Sequence, residues 1–172
     1  MREDFSNQQL KFSDLPQFEK VDFQKVSLKL RTKSILQWII LTVLFSAGIG
    51  AFFFVKEEFS AFTFIGIGVI ALFLLIRLID IILKQQFYGF AIREKDILFR
   101  SGYISSKITI IPFNRIQHSA INRSFLDKIF GISSLKIYTA GGTGSDMHIP
   151  GLFPDLAVQL NQTLSQKVSE NA

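Results

Sequence analysis

The hydrophobic positions divide the chain into three parts, among which two long apolar runs stand out. The runs cover residues 35–55 and 59–83; the first has no charged residue and the second carries only Arg77 and Asp80. Because an α-helix of about 20 residues crosses a bilayer core of about 30 Å, each run is long enough to span a membrane. Only residues 56–58 separate them, so the pattern predicts a tight transmembrane hairpin.

Neither a soluble core nor a signal peptide accounts well for these two runs. A chain of 172 residues has too little polar structure to cover two such helices inside a soluble core. The first run is also too long for the apolar region of a signal peptide, and 34 largely polar residues precede it. We therefore interpret both runs as membrane helices.

Basic residues on either side of the hairpin predict its orientation. Four lie shortly before the first run and four shortly after the second: Lys25, Lys29, Arg31, Lys33, Lys84, Arg93, Lys95 and Arg100. The connecting turn has Lys56 beside two acidic residues. Since Lys and Arg accumulate in cytoplasmic segments, we expect both termini to be cytoplasmic.

Residues 1–34 form a predicted N-terminal cytoplasmic segment that contains several apolar positions. Residues 26–30 read VSLKL, an alternation that is typical of a strand. A short helix beside the membrane fits these residues equally well. We expect part of this segment to pack on the C-terminal domain near the membrane.

Residues 84–172 form the third part, which is predicted to be a mostly β cytoplasmic domain. Its predicted strands cover residues 87–92, 97–100 with a continuation at 103–104, 107–111, 115–121, 135–139 and 147–149. A short helix after the fourth strand is predicted to begin at the N-cap Ser124, with Asp127 three residues on, and to stop at Gly131. A last helix over residues 154–168 has one apolar stripe, which is expected to cap the sheets.

Composition and charge narrow the classes of function. The chain has no cysteine, which excludes disulfides, iron–sulfur clusters and thiolate zinc sites. Its net charge of +5 is explained by a basic surface that faces the anionic inner leaflet. No nucleic-acid partner is predicted, because the sequence has no dense Lys/Arg stripe and no recognised binding motif.

Candidate catalytic and metal-binding residues are few. His118 and His148 are the two histidines, and no carboxylate cluster accompanies them, so we predict no metal site and no cofactor. Ser145 and Asp146 complete the residue types of a triad with His148, but one hairpin turn does not hold a base against a nucleophile. The glycine-rich stretch 140–146 lacks the ending of a phosphate-binding loop. We predict a mobile loop there, and no enzyme.

The order of several motifs resembles one known family. After the two apolar runs come IPFNRIQ at residues 111–117, FLDKIFGI at 125–132, a strand that leads into glycine-rich sequence, and IPG at 149–151. Over nearly its whole length the chain resembles the bacterial pleckstrin-homology-like (bacterial PH domain, YdbS-like) membrane proteins. The resemblance implies an α+β membrane protein, with a two-helix transmembrane hairpin and a cytoplasmic PH-like domain of two bent antiparallel sheets capped by a C-terminal helix. Such a domain usually has seven strands, so the seventh is missed here or comes from another segment.

The resemblance also implies binding or assembly. Domains of this kind often work alongside a larger companion with more copies of the domain, and some relatives are associated with envelope stress. We therefore expect a multi-pass protein of the bacterial inner membrane that acts as a non-catalytic subunit or scaffold, with itself or a companion PH-like membrane protein as partner. The alternatives are direct binding of anionic lipid headgroups at the inner leaflet, and a transporter subunit.

Several polar and glycine residues remain as candidates for contact with a partner or with lipid. They are Arg115, Gln117, Arg123, Gly141, Gly142 and Gly144. The polar three can equally be interpreted as residues that hydrogen-bond backbone or solvent on an exposed sheet face.

Arg77 and Asp80 are a separate candidate because they lie inside the second apolar run. At a spacing of i, i+3 on a helix their side chains can pair. Charged residues within a membrane segment indicate a possible functional site, whereas snorkelling with local pairing explains the two residues as an anchor.

Overall fold

Two long helices form the first large element of the protein. The computed structural model describes residues 21–56, 61–103, 105–141 and 144–170, apart from the side chains of 53–56 and 61–63. Residues 1–20, and residues 57–58 of the turn predicted at 56–58, lie outside these ranges. Helix α1 covers Lys29–Lys56 and helix α2 covers Ala61–Lys84. Both are long and apolar enough to cross a membrane, and no residue in the most apolar stretch of either helix is buried inside the protein.

The second helix returns to the start of the first. A short 3-10 helix, Gln85–Phe87, follows α2 directly. In it, the Gln85 side-chain amide donates a hydrogen bond of 2.7 Å to the Ser34 hydroxyl near the beginning of α1. The two helices therefore form a hairpin whose open end lies against the rest of the protein.

Helix α1 begins six residues earlier than the apolar run. Of the two alternatives for residues 26–30, the strand is wrong: strand β1 covers only Gln24–Lys25, and helix α1 starts at Lys29. Val26 and Leu30 are both buried against Ile132, whereas Leu28 between them is exposed. A turn explains this burial: the Leu30 amide donates a 3.1 Å hydrogen bond to the Ser27 carbonyl, so the chain bends between Val26 and Leu30. The segment packs on the β domain, as the sequence predicts.

Within the described ranges, seven strands make two antiparallel sheets. The first contains β1, β2 (Gly89–Ile92), β3 (Asp96–Ser101) and β4 (Lys107–Pro112) in that order. The second contains β5 (Ile116–Asn122), β6 (Ser133–Thr139) and β7 (Met147–Leu152). The seventh strand is β1, which pairs with β2 although the hairpin lies between them in the chain. The first sheet thus includes residues outside 84–172, and the division of the chain into segments 1–34, 35–83 and 84–172 stays a prediction.

One predicted strand is shorter than its pattern. The expected resumption at residues 103–104 does not occur at Tyr103, and Ile104 lies outside the described residues. Gly102 has φ +95°, and a Cβ there would lie 2.0 Å from the Ser105 carbonyl oxygen. The backbone therefore turns tightly at this glycine, which only a residue without a side chain permits.

Helix α4, Pro154–Glu170, closes the space between the sheets. Its residues Ala157, Leu160 and Leu164 are buried in one core with side chains from both sheets. The buried members of this core from the strands and their connections are Phe90, Ile97, Phe99, Ile111, Phe113, Ile116, Leu135, Ile137, Met147, Ile149 and Leu152. The predicted apolar stripe does cap the sheets.

Helix α3, Phe125–Phe130, connects β5 to β6 and has the predicted ends. The Ser124 hydroxyl accepts a hydrogen bond from the Asp127 amide, and the Asp127 carboxylate accepts one from the Ser124 amide. This reciprocal capping satisfies two amides at the start of the helix. Gly131 ends it in the left-handed region at φ +63°.

The end of β7 is joined closely to the beginning of α1. The Ser27 amide donates a 2.8 Å hydrogen bond to the Gly151 carbonyl. Gly151 has φ +70°, and a Cβ there would lie 2.8 Å from the Leu30 Cβ. The helix hairpin is therefore packed against the sheets at its first turn, without a flexible linker on this side.

Candidate partner-contact surface

Strand β5 is an open edge of the second sheet. Within the described part of the chain it pairs with β6 on one side, and its outer side has no strand. Four of its seven residues are exposed: Gln117, His118, Ile121 and Asn122. In contrast, β6 in the middle of the sheet has four buried residues and no exposed one. An unpaired edge presents backbone donors and acceptors to another chain.

A bulge at the start of β5 directs Gln117 outward. Ile116 pairs with Thr139 and His118 with Tyr138, so Gln117 is the extra residue on its strand. A bulged residue has no partner opposite it, and such bulges re-aim side chains at sheet edges. The exposed position of Gln117 follows from this bulge.

A groove runs between β5 and the C-terminal half of α4. It has a volume of about 250 Å³ and is lined by Ile116, Gln117, His118, Ser119, Leu164, Ser165 and Val168. The Ser119 hydroxyl donates a 2.7 Å hydrogen bond to the Asn161 side-chain oxygen. This bond ties the strand to the helix at one end of the groove.

The β6–β7 loop lies at the same end of the sheet as the bulge. The Ala140 amide bonds the Arg115 carbonyl at 3.3 Å, which joins the loop to the 3-10 helix Phe113–Arg115 before β5. Gly141 has φ +88° and is exposed. Gly144 is exposed as well, and Gly142 lies outside the described residues.

Asp146 closes this loop at its base. Its carboxylate accepts hydrogen bonds from the Thr139 hydroxyl at 2.6 Å and the Thr139 amide at 2.8 Å. These bonds lower the pKa of Asp146. The carboxylate thereby holds the turn through one of its two oxygens.

The two histidines lie on different strands with different neighbours. The His118 ring stacks on Tyr138 with centroids 4.3 Å apart. His148 lies across from Lys136 on β6, and desolvation of part of its ring, together with the Lys136 charge, lowers its pKa. No group of three or more metal-binding side chains occurs among the described residues.

The structure brings some of the predicted site residues together and separates others. Arg115, Gln117, Gly141 and Gly144 lie at one end of β5. Arg123 follows the other end, next to α3. Seven strand residues at about 3.3 Å each put roughly 20 Å between these ends. The predicted residues are therefore not one site.

Arg77 and Asp80 lie on α2, away from β5. Their side chains form an ion pair of 3.5 Å, with 55 % and 33 % of each exposed. The predicted pairing at i, i+3 is present.

The ion pair between Lys33 and Asp127 is not predicted by the sequence. Lys33 at the start of α1 bonds Asp127 of α3 at 2.7 Å, and both side chains are mostly buried. Burial acts to raise the pKa of Asp127, but hydrogen bonds from Lys33 and Ser124 outweigh it and lower the pKa. The sequence carries a signal for Asp127 as a capping residue, and none for its distant partner.

Comparison with known families identifies the domain. The family model for the bacterial PH domain matches residues 39–168, about three quarters of the chain. The chain belongs to the bacterial PH domain family. The predicted resemblance is thus confirmed, and the two antiparallel sheets with a C-terminal helix fit a PH-like domain. No curated protein and no solved structure matches the chain.

Proposed function

We propose that this bacterial PH domain protein is a membrane-anchored assembly subunit whose open β5 edge receives an extended segment of a partner membrane protein. The observation that carries the proposal is the unpaired β5 edge beside a groove formed with α4. A peptide that adds to a sheet edge gains main-chain hydrogen bonds, and a neighbouring groove selects its side chains. The partner is a second copy or a companion PH-like membrane protein, and no catalysis is involved.

The membrane anchor of the proposal is the α1–α2 hairpin. Two stretches of 24 residues each, Lys29–Phe52 and Phe64–Phe87, are long and apolar enough to span, and the most apolar part of each has no buried residue. A helix that is apolar all round and unburied is suited to lipid. The flanking Lys and Arg residues favour a bacterial inner-membrane protein with both termini in the cytoplasm.

The absence of cysteine makes this topology directly testable. A single cysteine introduced as Lys56→Cys at the end of α1 should react with an impermeant maleimide added to intact spheroplasts. One introduced as Ser169→Cys on α4 should react only after the membrane is opened. The opposite labelling pattern, or release of the protein by an alkaline wash, contradicts the anchor.

The role of the groove is tested by a substitution on α4 that puts a larger side chain into it. Ser165 is exposed on α4 and lines the groove, so Ser165→Arg puts a long side chain where the peptide would lie. Ser169→Arg is the matched control, because Ser169 is exposed four residues further along the same helix. A photo-crosslinking residue at position 117 should then capture a partner in the parent and in Ser169→Arg, and lose it in Ser165→Arg.

Two differently tagged copies in one cell distinguish the partners. A crosslink between the tags identifies a second copy, and a product of another mass identifies a companion. Equal capture by parent and Ser165→Arg, or purification as a monomer with no partner after mild extraction, overturns the proposal.

A further inference from the structure

The large apolar side chains that are most exposed outside the two long helices lie just before α1 and on α3. In the described part of the chain they are Leu28 at 79 %, Phe125 at 77 % and Ile129 at 61 %, and the next, Phe153, is 49 % exposed. Leu28 directly precedes α1, while Phe125 and Ile129 are i, i+4 neighbours on α3. Single exposed apolar residues are ordinary, but Leu28 directly precedes α1, and Phe125 and Ile129 lie on the short helix that Lys33 of α1 contacts.

Two contacts orient α3 relative to α1. The Lys33 ammonium bonds Asp127 at 2.7 Å, and the Lys29 ammonium lies 3.7 Å from the position of a Cβ on Gly131. From Lys29 to Lys33, α1 advances by one turn. The residues that these lysines approach, Gly131 and Asp127, are also one turn apart, but they occur in the opposite order along the chain. Helix α3 therefore runs antiparallel to α1, and its Phe125 end points the way α1 runs.

This orientation puts Phe125 level with the start of the apolar run. The run begins at residue 35, two residues beyond Lys33, which at 1.5 Å per residue is about 3 Å along the helix. Phe125 is likewise two residues beyond Asp127 in that direction. The phenyl ring thus lies at the depth where α1 leaves its polar surroundings.

The exposed charges around α3 have one sign. Arg123 and Lys128 are exposed, and the acidic residue of the helix, Asp127, is buried and paired with Lys33. A face with aromatic and aliphatic side chains flanked by basic ones is typical of segments that lie in the membrane interface. Lys and Arg side chains near an anionic leaflet are attracted to it.

We propose that α3 is a membrane foot: Phe125 and Ile129 insert between the headgroups of the cytoplasmic leaflet, and Arg123 and Lys128 contact anionic lipid phosphates. This inference rests on the proposed membrane anchor. The foot fixes the rotation of the PH-like domain under the hairpin and holds the Arg115 end of β5 away from the bilayer. The lipid selected is one with a net negative headgroup, such as phosphatidylglycerol.

Tryptophan fluorescence in vesicles tests the foot and the anchor separately. The chain has one tryptophan, Trp38, which lies in α1. In the full-length protein reconstituted into phosphatidylcholine–phosphatidylglycerol vesicles, Trp38 should be quenched by lipids brominated in their acyl chains. The test variant is Trp38→Phe/Phe125→Trp, whose emission should be lost to lipids brominated near the headgroup. The control is Trp38→Phe/Tyr138→Trp, at the far end of the sheet, which should keep its emission.

The outcomes separate the two proposals. Unquenched Trp38 in the parent overturns the anchor and the foot with it. Quenched Trp38 with a tryptophan at 125 no more quenched than the one at 138 overturns the foot alone, and this is also the result expected if a protein partner covers α3. Equal melting temperatures of the parent and both tryptophan variants show that the exposed Phe125 was replaced without loss of folding.

The charge part of the foot has its own test. Adding Arg123→Gln and Lys128→Gln to the tryptophan-125 variant should reduce its quenching in phosphatidylglycerol vesicles to the level found in pure phosphatidylcholine. High salt should have a similar effect on the variant that keeps both basic residues. Quenching that is independent of the anionic lipid in both proteins overturns the contact with lipid phosphates.

Discussion

Two ion pairs among the described residues involve the long helices, and they differ in almost every respect. Arg77 and Asp80 are three residues apart on one helix, and both are substantially exposed. Lys33 and Asp127 are 94 residues apart, mostly buried, and join α1 to α3. Exposed local pairs contribute little to stability, whereas removing one partner of a buried pair leaves a charge without compensation. The conspicuous pair within α2 is therefore the weaker one structurally.

The largest expected effect comes from Asp127→Ala. The change removes the partner of Lys33 and one half of the α3 capping box, so we expect a loss of about 2–4 kcal/mol in the free energy of unfolding. Chemical denaturation in mild detergent, followed by circular dichroism, measures it. Asp80→Ala is the matched control and should cost less than about 1 kcal/mol. Equal losses in the two variants contradict the comparison.

A somewhat smaller effect is expected from Gly151→Ala, which disturbs the same junction without touching a charge. The new Cβ would meet Leu30 at 2.8 Å, and the backbone has a positive φ. We expect a loss of about 1–3 kcal/mol in the free energy of unfolding. The control is Gly144→Ala, since no atom lies within 4 Å of a Cβ there. An unchanged Gly151→Ala protein would show that the junction is loosely packed.

The stability of the protein should depend on pH through Asp127 of the buried pair. The pKa of Asp127 in the folded protein is lowered from 3.8. Its contribution is therefore complete above 3.8 and is lost as the pH falls through the lower, folded-state value. Below pH 3.8 the melting temperature of the parent should drop more steeply than that of Asp127→Asn. Parallel curves for these two proteins would show that Asp127 is not the titrating group.

The smallest effect is expected from the double variant Arg77→Leu/Asp80→Leu. Both members of an exposed pair are removed together, so neither is left unpaired, and the free energy of unfolding should change by less than about 1 kcal/mol. Crosslinking through position 117 should also persist. Loss of the crosslinked partner in this variant would instead assign Arg77 and Asp80 a role in assembly.

The sequence predicts those features that residues close in the chain determine. The capping box and the glycine stop of α3 depend on positions 124–131 alone, and the structure has both. The pairing of Arg77 with Asp80 is local in the same way. The apolar stripe of α4 is also predicted from the sequence, because its residues recur at helical spacing and all pack against the same core.

Features that depend on distant residues could not be predicted. Strand β1 has only two residues, and it is a strand because β2 lies beside it. The same is true of the bulge at Gln117, which follows from the registers of Ile116 and His118 against β6. In the sequence, Arg115, Gln117 and Arg123 are neighbours and look like one candidate group. In the structure, strand β5 separates Arg123 from the other two.

Strand β1 has a consequence for synthesis. Gln24 pairs with Phe90, 66 positions later in the chain, and both long helices are made in between. At about 5–20 residues per second, the ribosome delivers the matching strand several seconds after the first. During that interval β1 has no strand to pair with. Both apolar helices emerge from the ribosome before β1 and β2 can pair. Completion of the first sheet therefore reports that the hairpin has been fully made.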